Sequence, residues 1–474
     1  MIRRIQTLAA LLLVATIVFA QGKAKYVFFF IGDGMGVNQI HAAATYLAAQ
    51  EGRIGTAPLC MTGFPVTGLA NTSSATNGVT DSAAGGTALA TGEKTKNGVV
   101  GMLQDQQTPV HSVAYWAQQS GAAVGVSSSV SVDHATPASF YAHVPDRSMY
   151  YQIGQQLIEA KYDFYAGSDF LKPTSSADTT GRGSLYDQCR AAGIVITRGY
   201  EDYLRNCRKA RHLLLLQSEA ASANDRSALP YAINRKSDDM NLSEITRAGI
   251  DFLQRKKKNG FFLFVEGGKI DWACHANDAA TVIREVLDLD EAVKVAFEFY
   301  QKHPKETLIV ITADHETGGL GLGRGPYELH SDLLQYQTMS ADAYSQHLTE
   351  LCQDKGTDLT WAMLENDLKT HWGFWDKIQL TEHQSERLKK AAVEVLTQST
   401  SGEVKSMYAS VGTLADAARR TLAECALVGW QSGGHSDAAV PVLAIGAGSE
   451  LFSGFMENTD VPRRIAKAAG WKIK

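Results

Sequence analysis

The sequence predicts an α/β protein: a central, mostly parallel sheet between two layers of helices, with a helical insertion. Three observations lead there. Short, continuous apolar runs rich in β-branched and aromatic residues recur along the chain, as strands buried on both faces require. Helical stretches alternate with them, the order that parallel strands joined by crossovers produce. Glycine or polar residues follow several runs, where open sheets of this kind place ligands. With 474 residues, 45% hydrophobic and 20% charged, the chain can build a large core, and fibrous and disordered classes are excluded.

Residues 1–20 place Arg3 and Arg4 before an apolar stretch, Leu8 to Phe19, ending at Ala20. This reads as a cleaved secretory signal, too short to span a bilayer, and implies a periplasmic or secreted protein. Cleavage removes two cations and no acid, moving the formal charge from −5 to −7. A mildly acidic protein is a poor nucleic-acid binder, and no later segment reads as a membrane span.

KYVFFFI opens the core at residues 21–326 and a helix follows it. AAVGVSS, HLLLLQ, GFFLFVEGG and TLIVITADH supply further strands, with the long helical stretch ANDAATVIREVLDLDEAVKVAFEFYQ between the last two. KPTSSADTTGRG reads as a surface loop. RKKK, Arg255 to Lys258, closes an amphipathic stretch, where cations complement a helix C-terminus. Residues 327–421 read as the helical insertion, with Trp361, Trp372, Phe374 and Trp375 as its own small core. Strand character returns at AVPVLAIG, within a last core portion at residues 422–474. Six cysteines in an exported chain permit disulfides, and Cys189 with Cys207, bracketing a short excursion, are the expected pair.

Chemistry-bearing residues collect at the predicted strand ends. Asp33 follows the first strand in GDGMG, where glycines let backbone and ligand approach closely. Glu266 ends another strand. Asp271 and His275 are four residues apart, so on a helix they share a face and can grip one cation, or else form an ion pair or cap. Asp314 and His315 are adjacent where TADHETGG leaves its strand, and SGGHSD presents His435 in a loop of small residues. Mixed imidazole and carboxylate donors suit zinc, oxygen-rich ones magnesium, and seven such residues suggest more than one ion. In VTDSAAGGTALATG, Asp81 and Ser82 stand at the mouth of a segment stripped of bulk.

Through FFFIGDGMG, VTDSAAGGTALATG, DHATPASFYAHVPDR, VEGGKIDWACHANDAA, TADHETGG and SGGHSD, in that order, the chain resembles the alkaline phosphatase family across the mature sequence outside the helical insertion. The resemblance implies a phosphate monoester hydrolase of broad substrate range acting on small molecules through a phosphoserine at Ser82. It implies one zinc held by Asp271, His275 and His435, a second by Asp314, His315 and Asp33, and a magnesium, replaceable by zinc, held by Asp33, Glu266 and Thr136. Arg147 would clamp two phosphate oxygens, and a homodimer is expected. His134 and Trp272 stand where many bacterial relatives have Asp and Lys. An imidazole there is either a direct or water-mediated partner of the third ion or a group that makes the position favour zinc, and a Trp cannot attract phosphate as a cation would. The Cys/Ser-x-Pro-x-Arg pattern of sulfatases is absent from DSAAGGTA, and Thr136, Glu266 and Arg147 favour a monoesterase over a diesterase. A non-catalytic binding protein would not need to keep both Ser82 and Arg147.

Overall fold

The computed structural model describes residues 23–176, 181–256, 258–397 and 412–473. The expected signal sequence lies outside them, as do part of the KPTSSADTTGRG loop and residues 398–411 of the helical stretch. The strands are β1 (Tyr26–Gly32), β2 (Val66–Asn71), β3 (Ala123–Ser128), β4 (Phe164–Gly167), β5 (Ile194–Arg198), β6 (His212–Leu216), β7 (Phe261–Gly267), β8 (Thr307–Thr312), β9 (Glu316–Thr317), β10 (Gly321–Leu322), β11 (Val428–Gly429), β12 (His435–Ser436), β13 (Val440–Gly446) and β14 (Gly454–Glu457).

Ten of them form one sheet in the order β14-β2-β13-β8-β1-β7-β3-β4-β6-β5. All neighbouring pairs are parallel except those of β13, which runs antiparallel to both β8 and β2. The central strands β3, β7 and β8 are buried at every residue, and β1 at all but its first, which is why they read as unbroken apolar runs. Two groups of helices sandwich the sheet. One contains Val37–Gln50, Leu242–Gln254 and Ala279–Lys302; the other contains Ser82–Thr91, Val113–Gln119 and Asp460–Ala469. The Leu242–Gln254 helix caps at Arg255, so the basic run does close a helix, and Lys258 turns back to pair with Asp163 at 3.0 Å.

This topology positions the site. Ile31 of β1 is in register with Glu266 and with Thr312, and Ser128 of β3 with Glu266. Four adjacent parallel strands therefore end at one level, and the residues that leave them, Asp33, Glu266 and Asp314, emerge together.

Helices Ala341–Lys355, Trp361–Trp372, Glu382–Leu396 and Thr413–Cys425 lie between β10 and β11, which pair with each other and bring the ends of the segment together. Its last helix runs on to Cys425, past the 421 boundary read from sequence. Trp372 and Phe374 are fully buried, and the rings of Trp361 and Trp375 meet edge to face at 6.1 Å. None of the six cysteines takes part in a disulfide, so the Cys189–Cys207 bond is not formed. Cys207 lies near Tyr203 and Arg255 and Cys189 near Tyr165, and β5 and the helix Tyr200–Asn206 separate the two cysteines along the chain. Cys274 is a buried filler whose thiol burial pushes up. Among the described residues no helix is long and apolar enough to cross a membrane.

Candidate active site

Ser82 is the first residue of the Ser82–Thr91 helix, and Asp81 is its N-cap, the Asp81 carboxylate accepting from the Ala84 amide at 2.9 Å. The first turns of the helix approach the residues at the sheet's carboxyl edge closely, and two glycines permit it. A Cβ on Gly85 would stand 2.8 Å from the Asp314 carbonyl oxygen, and one on Gly86 3.2 Å from the Thr136 Cα. The run of small residues is thus the condition for bringing the Ser82 hydroxyl among the acids. Its Oγ lies 3.3 Å from His315 Nε2 and is buried.

Around that hydroxyl stand the expected residues. His315 Nε2 is 3.4 Å from Asp33 Oδ1 and 3.5 Å from Asp314 Oδ2. On the other side, His275 Nε2 is 3.3 Å from Asp271 Oδ2 and 3.2 Å from His435 Nε2, which is itself 3.7 Å from Asp271 Oδ1. His315 and His435 stack with centroids 3.6 Å apart, so His315 borders both groups. Ring nitrogen or carboxylate oxygen of Asp33, His134 and Glu266 converge within 4.8 Å, making Asp33 common to two clusters and placing His134 inside the third. Trp272 meets the His134 ring edge-on at 5.9 Å and carries the buried Lys269 ammonium 5.1 Å over its own ring.

Hydrogen bonds at Nδ1 fix the tautomers of three imidazoles. His275 and His435 donate their Nδ1–H groups to the carbonyls of Gly433 and Thr80, at 2.6 and 2.8 Å, which leaves a lone pair on each Nε2. Thr317 does the same for His315. Its hydroxyl donates to Asp271 Oδ1 at 2.6 Å, so its oxygen is left to accept from His315 Nδ1 at 3.2 Å. Two Nε2 lone pairs 3.2 Å apart repel unless a proton or a metal cation lies between them.

The oxygens make the same demand. Both carboxylate oxygens of Asp33, one each of Asp314 and Glu266, and the Thr136 hydroxyl are buried without a hydrogen-bond partner. In the absence of cations, burial first and then neighbouring carboxylates, Asp314 and Asp271 for Asp33 and Asp271 and Glu266 for Asp314, push both well above the carboxylate range, and burial raises Glu266 to about 7. Burial opposes the charge of Asp271 too, but the imidazoles of His275, His435 and His315 outweigh it and hold the acid low. Burial, with Arg147 nearby, lowers His134 to about 3, so it stays neutral and able to ligate. The donor set fits divalent cations: oxygens that lack donors and nitrogens that lack protons point at one another.

Arg147 reaches the same mouth from a loop, its Nη1 3.0 Å from Asp81 Oδ2. Asp81 therefore serves twice, capping the Ser82 helix and aiming the guanidinium. Other positioning residues went unmarked in the sequence. Glu316 accepts from Gln39, from the Gly319 amide and from Ser436, pinning β9 to β12 and so His435 beside His315. Ser128 donates to Glu266. Thr317 is the sharpest case, because losing its hydroxyl frees the His315 tautomer. Thr317→Val should lower activity about 10- to 100-fold and weaken metal retention in step; unchanged activity and metal content would show that His315 needs no orienting hydroxyl.

Buried acids awaiting cations beside a serine at a helix N-terminus define a class, the α/β metallohydrolases. Comparison with known proteins narrows it. The alkaline phosphatase family model matches residues 24–166 and 222–471, running through the helical stretch and pausing instead at the far edge of the sheet. Alkaline phosphatase 3 of Bacillus subtilis is 31% identical over 459 residues, covering 96% of this chain and 91% of that protein. Cold-active alkaline phosphatase from a psychrophilic Shewanella superposes with a TM-score of 0.78 at 26% identity, over 94% of this chain and 99% of that one. The Thermus thermophilus enzyme gives 0.76 at 28% identity, over 95% and 93%. The chain belongs to the alkaline phosphatase family and is a phosphomonoester hydrolase. Metal cofactors go with that family: a histidine-to-glutamate variant of the alkaline phosphatase from the Antarctic bacterium TAB5, with a TM-score of 0.64 at 25% identity over 95% of this chain and 99% of that one, carries magnesium in its M3 site.

Proposed function

We propose that hydrolysis proceeds in two displacements through a phosphoserine on Ser82. The observation that carries this reading is the Ser82 hydroxyl at a helix N-terminus, 3.3 Å from His315 Nε2 within the acid cluster. Asp271, His275 and His435 would hold one zinc, and Asp33, Asp314 and His315 a second. Asp33, Glu266 and Thr136, with His134 in reach, would hold magnesium, or zinc in its place. Bound there, the cations lower the pKa of the Ser82 hydroxyl and of an attacking water and stabilise the departing alkoxide.

The chain's own groups do the rest. Arg147, held by Asp81, takes two non-bridging oxygens of the phosphoryl group with its planar fork. The N-terminal end of the Ser82 helix favours negative charge on both the serine oxygen and the phosphate. Ser82 Oγ attacks phosphorus in line, the substrate's alcohol leaves opposite, and the phosphoryl group remains on serine. A water then attacks from the vacated side and Ser82 departs, so two inversions give retention at phosphorus. Because every contact named is with the phosphoryl group, the leaving group is loosely specified and a broad range of small phosphomonoesters follows. A homodimer is part of this reading.

The test is initial-rate hydrolysis of a chromogenic phosphomonoester at alkaline pH, before and after chelation, with zinc and magnesium restored singly and together. Activity should vanish on chelation and return most fully with both ions. Activity that survives complete chelation, or folded metal-replete protein without monoesterase activity, overturns the reading.

A further inference from the structure

The helical segment carries another group of ligating side chains, which the reaction leaves unused. His347 lies on the Ala341–Lys355 helix, and Asp367 and His371 lie one turn apart on Trp361–Trp372. The four-residue spacing puts Asp367 and His371 on one face, and that face meets His347. The His347 Nε2 is 2.8 Å from Asp367 Oδ1 and the His371 Nε2 3.8 Å from the same oxygen. The two imidazoles meet edge to face with centroids 5.1 Å apart. One donor atom from each of the three side chains lies within 4.8 Å of the others.

Two of the three are also held from behind, as ligands commonly are. Thr338 Oγ1 is 2.8 Å from His371 Nδ1, and the Thr338 amide donates to the His371 carbonyl at 3.1 Å. Tyr344 donates its phenol to Asp367 Oδ2 at 2.7 Å, leaving Oδ1 to the imidazoles. A hydrogen-bonded triad without metal would use this arrangement poorly. His347 can bond Asp367, but at 3.8 Å His371 Nε2 is too far from it for a hydrogen bond. An ion among the three engages every one. Asp367 also lines a cavity of about 410 Å³ with Leu351, Met363, Asn366 and Thr370.

We propose that His347, Asp367 and His371 form a zinc site separate from the catalytic cluster, clipping the Ala341–Lys355 and Trp361–Trp372 helices together. Two imidazoles and a carboxylate are a zinc donor set with a fourth position left for water. Magnesium and calcium, which take mainly oxygen ligands, are poorly served by it.

The full-length enzyme, loaded with zinc and magnesium and freed of loose metal by gel filtration, is compared with His347→Asn and His371→Asn by elemental analysis and by thermal unfolding with and without added zinc. Each variant should hold one zinc ion per chain fewer than wild type and lose a zinc-dependent rise in unfolding temperature. Each should keep phosphomonoesterase activity within about twofold, as substitutions remote from a site do. Equal zinc content in wild type and both folded variants overturns the proposal. A second measurement needs no variant: wild type with its catalytic sites filled by zinc, magnesium and inorganic phosphate is titrated with zinc alone. Saturable binding of a further zinc per chain supports the site, and its absence, with no surplus zinc already retained, overturns it.

Discussion

Ser82→Ala should lower phosphomonoester hydrolysis by roughly 10³- to 10⁶-fold, the scale on which enzymes lose a covalent nucleophile, while leaving the metal content of the protein unchanged. The geometry offers no replacement for the missing oxygen. Thr317, the nearest other hydroxyl to His315 in the hydrogen-bond network, already donates to Asp271, and Thr136 belongs to the third cluster behind Glu266. A water entering the space left by Oγ would be the only attacking group, without the helix that holds Ser82 in place. Acid quenching during turnover should trap phosphate on the wild type and none on the variant. A variant that keeps more than about a tenth of wild-type activity would sink the assignment, because one missing hydroxyl would then be worth under about 1.4 kcal/mol to the transition state.

The parts of this site that were legible in the sequence are those that local pattern controls. β1, β7 and β8 are apolar on both faces and cannot be mistaken for amphipathic elements, so Asp33, Glu266 and Asp314 could be placed at strand ends. Asp271 and His275 declare themselves by helical spacing. The strands that escaped are short or lie toward the sheet's edges, such as β4 with four residues and β14 with four, three of them exposed. The reversed direction of β13 escaped because an apolar run has no polarity to read. Positioning residues escaped for a different reason: Thr317 acts on Asp271 46 positions away and Ser436 on Glu316 120 positions away, and no local pattern encodes such pairs. The Cys189–Cys207 expectation failed in the same way, since nearness along the chain says nothing about which way two sulfurs face. Asp367 and His371 repeat the spacing of Asp271 and His275, but His347 stands 20 residues from Asp367 and only the packing of two helices brings it in.

Stripped of its metals, the protein should lose stability as pH rises, and the metal-loaded protein should not show this trend. Asp33, Asp314 and Glu266 all have folded pKa values above their unfolded ones, mainly through burial. Such acids bind their protons more tightly in the fold. Their stabilising contribution is fully present below the unfolded pKa and is lost as pH climbs through the folded one. For Glu266 that window runs from 4.5 to about 7, worth about 3 kcal/mol at 1.36 kcal/mol per pH unit. Asp33 and Asp314 extend the loss upward. His275, raised by Asp271 against the effect of burial, adds to it with the same sign, since its extra proton is shed as pH rises. Asp271 acts oppositely, but it is ionised in both states above about pH 5 and contributes a constant there, whereas His134 and His315, lowered chiefly by burial, oppose the loss until pH passes the ordinary imidazole value of 6.5. Divalent cations keep the carboxylates ionised and the imidazoles deprotonated, which removes the proton uptake that generates the slope. Chelated protein should therefore unfold roughly 5 °C or more lower at about pH 8 than at about pH 6.5, with metal-loaded protein far flatter across the same interval. A chelated midpoint that holds steady or climbs over that range would mean that the buried acids do not carry the protons their burial demands, and that something other than a cation satisfies Asp33, Asp314 and Glu266.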